Sequence, residues 1–287
     1  MNPNEAVGPR RVSRLVEPFH AMTYYTPEIL RMRDYGFKGW WHAYFAYRSS
    51  AMGAVSAGTV AAAFFNFAPR MVERAVPNVW DIMPPHEVAE IRMGLVDEAL
   101  RRSFGDLIAS PDVVAAAELA RRAIDGCNGA ARPVFGAYTG VAWPEEPHLA
   151  LWHACTLFRE LRGDSHHIAL AAAGIDGVEC HVLMAANGHG NRDTILGIRG
   201  WNEAEWASAS HRLTTRGWLT AGGQLTEHGR EQRVGVERHT DELSNEPCDR
   251  LGAEGVDRFE SLMAPLVDHL VSTGEISLGW PPPSVSK

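Results

Sequence analysis

The stretch 199–230, RGWNEAEWASASHRLTTRGWLTAGGQLTEHGR, restricts the fold more than any other part of this chain. Asn202 suits an N-cap, because its side-chain oxygen can accept from the backbone N–H groups that a first helical turn leaves unpaired. Glu203 and Glu205 then fall in the first turn and Arg212 and Arg216 in the last, signs that match the helix dipole. Trp206, Ala209 and Leu213 share one face, and Gly217 is the residue type that stops helices in the left-handed conformation. The spacing predicts a helix over 202–216, a short strand at Trp218-Leu219, a hairpin turn at Ala221-Gly222-Gly223, a return at Leu225-Thr226 and a new helix from Glu227. Helix, strand, hairpin and strand in that order describe a winged helix.

Helical spacing dominates the rest, so the predicted fold class is mainly α. Stripes such as Val12, Leu15, Val16 and Phe19, or Val88, Ile91, Leu95 and Ala99, recur at intervals of three and four. Thr26-Pro27 opens a second helix. Residues 37–48, FKGWWHAYFAYR, are aromatic at nearly every turn, so this helix is buried on more than one side or lines a pocket. Glycines and prolines crowd 125–147, which reads as a linker around a short apolar piece at 134–138. A helix over 148–161 is expected to stop at Gly163-Asp164, with Asp164 or Ser165 capping a new one over 166–173. The resulting division is an N-terminal helical module over 1–125, a linker over 126–147, a winged-helix module over 148–245, and a final helix with a flexible tail over 246–287. A weak internal repeat sets the residues after Arg48 against those after Arg162; if both copies are helix-turn-helix modules, one chain imitates a two-fold dimer, the first module being a degenerate winged helix.

The phrases RLTTRGWL and GQLTEHGRE resemble the end of the recognition helix and the wing of MarR-type regulators. The wider chain is similar to an actinobacterial family of helix-turn-helix proteins of about this length. That likeness is carried by Glu17-Pro18-Phe19-His20, Tyr44-Phe45-Ala46, residues 64–69, Arg162-Gly163-Asp164 and Arg199-Gly200-Trp201. The resemblance implies a small-molecule-responsive transcriptional regulator that binds double-stranded DNA through a winged helix. On that basis Asn202, Ser208, His211, Arg212 and Arg216 are the expected DNA contacts. His20, Trp40, Trp41, Tyr44, Tyr47, Phe65 and His167 are the expected ligand contacts, although a plain core reading of His20 and of the aromatic helix carries more weight.

Charge argues the other way. The chain carries a formal net charge of −8, which disfavours a dominant nucleic-acid surface. Glu203 and Glu205 stand at the end of the helix that would enter the major groove, and the wing turn has no Arg or Lys. The 15 residues 187–201, NGHGNRDTILGIRGW, separate the apparent helices where a helix-turn-helix needs a turn of about three to four. A ligand-binding or sequestering protein that lost DNA binding is therefore the second expectation. An enzyme using an aromatic, histidine-lined pocket is the third and weaker one.

His166, His167, His181 and Cys180 lie close in the chain, but no HExxH, HxxxH or CxxC spacing makes them a metal set. No GxSxG elbow or phosphate-binding glycine loop occurs, so neither metal nor cofactor is expected and no catalytic residue is designated. Cys127, Cys155, Cys180 and Cys248 are scattered. With no leader-like start and no apolar run near 20 residues, they read as reduced thiols of a cytoplasmic protein without a membrane partner. A monomeric pseudo-dimer and a homodimer are both open.

Overall fold

The computed structural model describes residues 8–276. The end of the expected flexible tail, from 277, lies outside the described residues. The chain forms α1 (Gly8–Ala21), α2 (Trp40–Ser49), α3 (Ala57–Phe64), α4 (Pro69–Glu73), α5 (Val79–Ile82), α6 (Pro85–Phe104) and α7 (Pro111–Ile124). Helices α8 (Pro133–Thr139), α9 (Pro147–Ala172), α10 (Glu179–Ala186), α11 (Arg192–Arg199), α12 (Glu203–Thr215), α13 (Glu227–Leu243) and α14 (Glu246–Ser272) follow. The segment Pro27–Tyr35, expected as an ordinary helix, is a 3-10 helix ending at Gly36.

Helix α9 organises the molecule. Its 26 residues run through the core, where α1, α7, α8 and α13 pack on it. The expected stop at Gly163-Asp164 does not occur. The Asp164 carboxylate does cap a helix, but a neighbouring one: it accepts from the backbone N–H groups of Val134 and Phe135, both at 2.9 Å, at the start of α8. That segment, read as part of a linker, thereby buries Val134, Phe135 and Tyr138.

Two apolar clusters flank α9. The larger holds Phe19, Phe45, Tyr47, Phe64, Trp152 and Phe259, among others, from α1 to α9 and α14. The smaller joins Leu170 at the end of α9 with Val182, Ile195, Trp206, Leu213 and Leu225 from α10 to α13. Burying side chains of this size supplies roughly 1.5–3 kcal/mol each.

The mainly α expectation holds, but the wing does not form. Among the described residues there is no strand; Leu219 and Leu225 meet in one antiparallel bridge. Trp218, Leu219 and Leu225 are buried in the smaller cluster rather than extended as a ribbon. Thr226 accepts from the Gly229 N–H at 2.9 Å and starts α13 at once, so no residues remain for a second arm. The tandem-module reading fails as well. After Arg48 the chain makes a 3-10 turn at Ser50–Met52, whereas after Arg162 it continues α9. Arg48 is buried against Glu160, while Arg162 pairs with Asp241 near the surface. With unlike backbones and unlike partners, the two stretches do not make a pseudo-dimer.

The larger cluster is crossed by a buried polar seam. Arg48 on α2 donates from Nε and Nη2 to the two carboxylate oxygens of Glu160 on α9, at 3.1 and 2.9 Å. Arg159 adds a contact of 2.8 Å to the same carboxylate. Burial acts to raise the Glu160 pKa, but the Arg159 and Arg48 guanidiniums outweigh it and hold the carboxyl well below its ordinary range. Removing one partner leaves a buried charge uncompensated. Glu160→Ala is expected to lower unfolding free energy by about 3–5 kcal/mol in a urea titration. Because the folded pKa is depressed, the contribution of Glu160 is present above the unfolded carboxylate value near ~4.3 and fades as pH falls through and below it. The wild type should lose stability in that window, and the Glu160→Gln protein should lose less.

Candidate functional site

Helices α10, α11 and α12 form a trihelical unit. Asn191 caps α11 by accepting from the Thr194 N–H at 2.9 Å, and Gly200 ends it in the left-handed conformation at φ +75°. Asn202 caps α12 by accepting from the Glu205 N–H at 2.9 Å, and the Glu205 carboxylate returns to the Asn202 N–H at 2.8 Å. This is a capping box. Only residues 200–202 separate α11 from α12, the length of a helix-turn-helix turn. The long insertion expected at 187–201 is thus mostly a helix.

The N-terminal half grips this unit through residues 64–71. Phe65 takes φ +49°, ψ −54°, a γ-turn of the strained hand, with the Asn66 N–H donating to the Phe64 carbonyl at 2.5 Å. The turn aims the Asn66 carbonyl at two donors, Trp201 Nε1–H of the helix-turn-helix turn and His181 Nε2–H of α10, each at 3.0 Å. Ala68 N–H donates to the Arg199 carbonyl at 2.9 Å. Arg70 grips Glu205 with two bonds of 2.7 and 2.6 Å, and the Arg199 guanidinium lies 4.3 Å from the centre of the Phe67 ring.

Beside this grip lies a cavity of about 460 Å³ between the end of α9, α10 and α13. Its apolar wall includes Leu170, Ile175, Leu183, Met184 and Val236; its polar groups include His166, His167, His181, Arg10 and Arg233. Burial pushes the pKa of His181 and of His167 down to about 3, with Arg199 adding to it at His181 and Arg48 at His167. Burial also lowers that of His166. Near neutral pH these three imidazoles are therefore uncharged. Among the described residues, no group of three or more His, Cys, Asp or Glu side chains is placed to hold a metal ion.

The expected ligand residues separate into two places. His20, Tyr44 and Tyr47 are buried in the larger cluster, and Trp40 and Trp41 pack against it. His20 Nδ1 sits 2.9 Å from Thr156 Oγ1, and its ring stacks on Trp152. Trp40 stacks on Tyr44 with centroids 5.0 Å apart. None of these five lines the cavity. His167 does line it, and Phe65 stacks on His167 at 5.1 Å and 15°. The expected ligand contacts did not include His181, His166, Met184 or Arg233, although the proximity of histidines at 166, 167 and 181 marked the region.

The expected DNA residues share α12 and its ends, but not one role. Asn202 is committed to its cap. Arg212 pairs with Asp176 at 2.5 Å and Glu179 at 2.8 Å. Arg216 donates to the carbonyls of Gly174 and Ala173 at 2.8 and 2.7 Å. Ser208 and His211 are exposed with Ala204, Ala207 and Thr215 on the outer face. The acidic first turn is also neutralised, Glu203 by Arg192 and Glu205 by Arg70.

A family model described as a helix-turn-helix family matches residues 9–277. The chain belongs to that helix-turn-helix family. Comparison with curated proteins and with solved structures found no match. In this helix-turn-helix protein no helix among the described residues is long and apolar enough to cross a membrane.

Gly177 marks how tightly the trihelical unit is docked. A Cβ at this position would lie 2.3 Å from the Phe65 carbonyl oxygen, a backbone atom with no room to move aside. Gly177→Ala is expected to cost about 1–3 kcal/mol, in the range of overpacking, and to raise hydrogen exchange in 64–71 and 200–202 together. Unchanged thermal stability and exchange would contradict the docking described.

Proposed function

We propose that this protein is a DNA-binding transcriptional regulator of the MarR kind whose affinity for DNA is set by a small molecule in the cavity of α9, α10 and α13. The observation that carries this reading is the shared use of α10 and of the Asn66 carbonyl. Helix α10 contributes Cys180, His181, Leu183 and Met184 to the cavity and also packs on α12, where Glu179 pairs with Arg212. The Asn66 carbonyl accepts from His181 at the cavity and from Trp201 at the helix-turn-helix turn. A ligand that moves His181 would disturb the acceptor that also positions Trp201.

In this reading α12 enters the major groove with the face formed by Ala204, Ala207, Ser208, His211 and Thr215. Small side chains let the helix approach base edges closely, while Ser208 and His211 supply hydrogen bonds. Arg212 and Arg216 position the helix from within instead of holding phosphates. A second reading, a ligand-sequestering protein without DNA binding, is favoured by those same intramolecular pairs, which leave α12 without a free cationic rim of its own.

Fluorescence anisotropy with DNA from upstream of its own gene separates the two. The regulator reading expects binding at low salt with a shallow log–log salt slope, about −3 or weaker, because few arginines are available for phosphate. His211→Ala should weaken binding about fivefold or more, within the range of a lost base contact, and Ser208→Glu should abolish it without changing thermal stability. Absence of binding at low salt would reject the regulator and leave the sequestering protein.

A further inference from the structure

The cavity of α9, α10 and α13 contains one polar atom whose need is defined by its neighbours. His181 is 3% exposed. Its Nε2 lies 3.0 Å from the Asn66 carbonyl oxygen. A carbonyl can only accept, so Nε2 carries the proton and Nδ1 is a bare lone pair. That Nδ1 is buried and has no hydrogen-bond partner. His166 is fixed by the same logic. Thr240 donates its hydroxyl proton to the Val236 carbonyl at 2.9 Å, so its oxygen accepts from His166 Nδ1–H at 3.0 Å, which leaves His166 Nε2 as a second acceptor. Both rings line one wall region with His167.

The charged groups of the cavity are largely answered from within the protein. Arg233 donates to the Leu183 carbonyl at 2.8 Å. Arg10 pairs with Asp241 at 2.7 Å, and Glu237 lies 3.6 Å from Arg162. Arg10, which lines the cavity, has its Nε buried without a hydrogen-bond partner. A buried acceptor left unpaired costs free energy that a donor on the ligand recovers, so the site discriminates by hydrogen-bond polarity rather than by charge.

We propose that the cavity binds an uncharged, flat, fused-ring aromatic molecule that donates a hydroxyl or N–H proton to His181 Nδ1 and offers a carbonyl or ether oxygen to Arg10 Nε. The volume of about 460 Å³ lies within the range of small-molecule sites. Phe65, stacked on His167, braces a flat ring surface at the cavity wall. A carboxylate would face the imidazole lone pairs of His181 and His166. This inference rests on the reading of the cavity as the effector site and adds the chemical class of the effector.

The test uses the full chain and 7-hydroxycoumarin, followed by its own fluorescence in mildly acidic buffer that keeps its hydroxyl protonated. The imidazoles of His181 and His167, with pKa values of about 3, stay neutral there. The expected result is saturable binding at one site, at least about tenfold weaker binding of 7-methoxycoumarin, which cannot donate, and still weaker binding of coumarin-3-carboxylate. Met184→Trp, which narrows the cavity and leaves the imidazole side chains present, should abolish binding of the hydroxyl compound. Equal binding of the methyl ether, tighter binding of the carboxylate, unchanged binding by Met184→Trp, or no binding of either neutral coumarin would each overturn the proposal. DNA anisotropy on the same preparation keeps the two readings apart. A chain that binds DNA but not the hydroxyl compound loses only the effector class, and one that binds the compound but no DNA loses only the regulator.

Discussion

The Asn66 carbonyl accepts two hydrogen bonds, from His181 Nε2–H and Trp201 Nε1–H, and the relation between the two halves of the molecule depends on it. A carbonyl oxygen has two lone pairs, so both bonds form together only where the backbone turns it outward. Phe65 makes that turn at φ +49°, a conformation that costs a bulky residue of order 1–3 kcal/mol. The surrounding contacts over-determine it: Ala68 to Arg199, Arg70 to Glu205, Arg199 over Phe67. The strained turn thus lies between a cavity and a helix-turn-helix turn, and its one acceptor serves a donor on each side.

Electrostatics divide the molecule in a similar way. The buried Arg48–Glu160 pair joins α2 to α9 in a dry interior, where loss of one partner is costly. Around α12 the Arg70–Glu205, Arg192–Glu203 and Arg212–Asp176 pairs are largely exposed and individually weak, on the order of 0–1 kcal/mol, while Arg212 also reaches the buried Glu179. Their consequence is geometric. They consume Arg70, Arg192, Arg212 and Arg216, fix α12 against α10 and the N-terminal half, and leave a small, neutral outer face.

Local rules reached as far as local causes do. The Asn202 cap, the acidic first turn, the buried stripe of Trp206, Ala209 and Leu213, and the start of α13 at Glu227 were legible because each depends on residues within a turn or two. Helix α11 was missed because asparagines, glycines and an aspartate around 187–200 read as a loop, and only Ile195 of its residues is buried. Gly163 read as a stop because the partner that makes Asp164 useful, the start of α8, lies about 30 residues earlier. The wing was expected from a phrase, but its few residues are drawn into the smaller cluster. Of the cavity, the sequence marked histidines without their tautomers, since those are set by Asn66 and Thr240 from 115 and 74 residues away.

The central claim is that the cavity and the helix-turn-helix turn share one acceptor, and the Trp201 indole proton reports on it directly. Nitrogen-15 NMR of the tryptophan indoles, with Trp201→Phe for assignment, follows that proton as 7-hydroxycoumarin fills the cavity. The account expects the Trp201 Nε1–H resonance to shift, and its exchange with water to change, in step with binding at His181. A Trp201 indole that stays unmoved while the cavity saturates would contradict it.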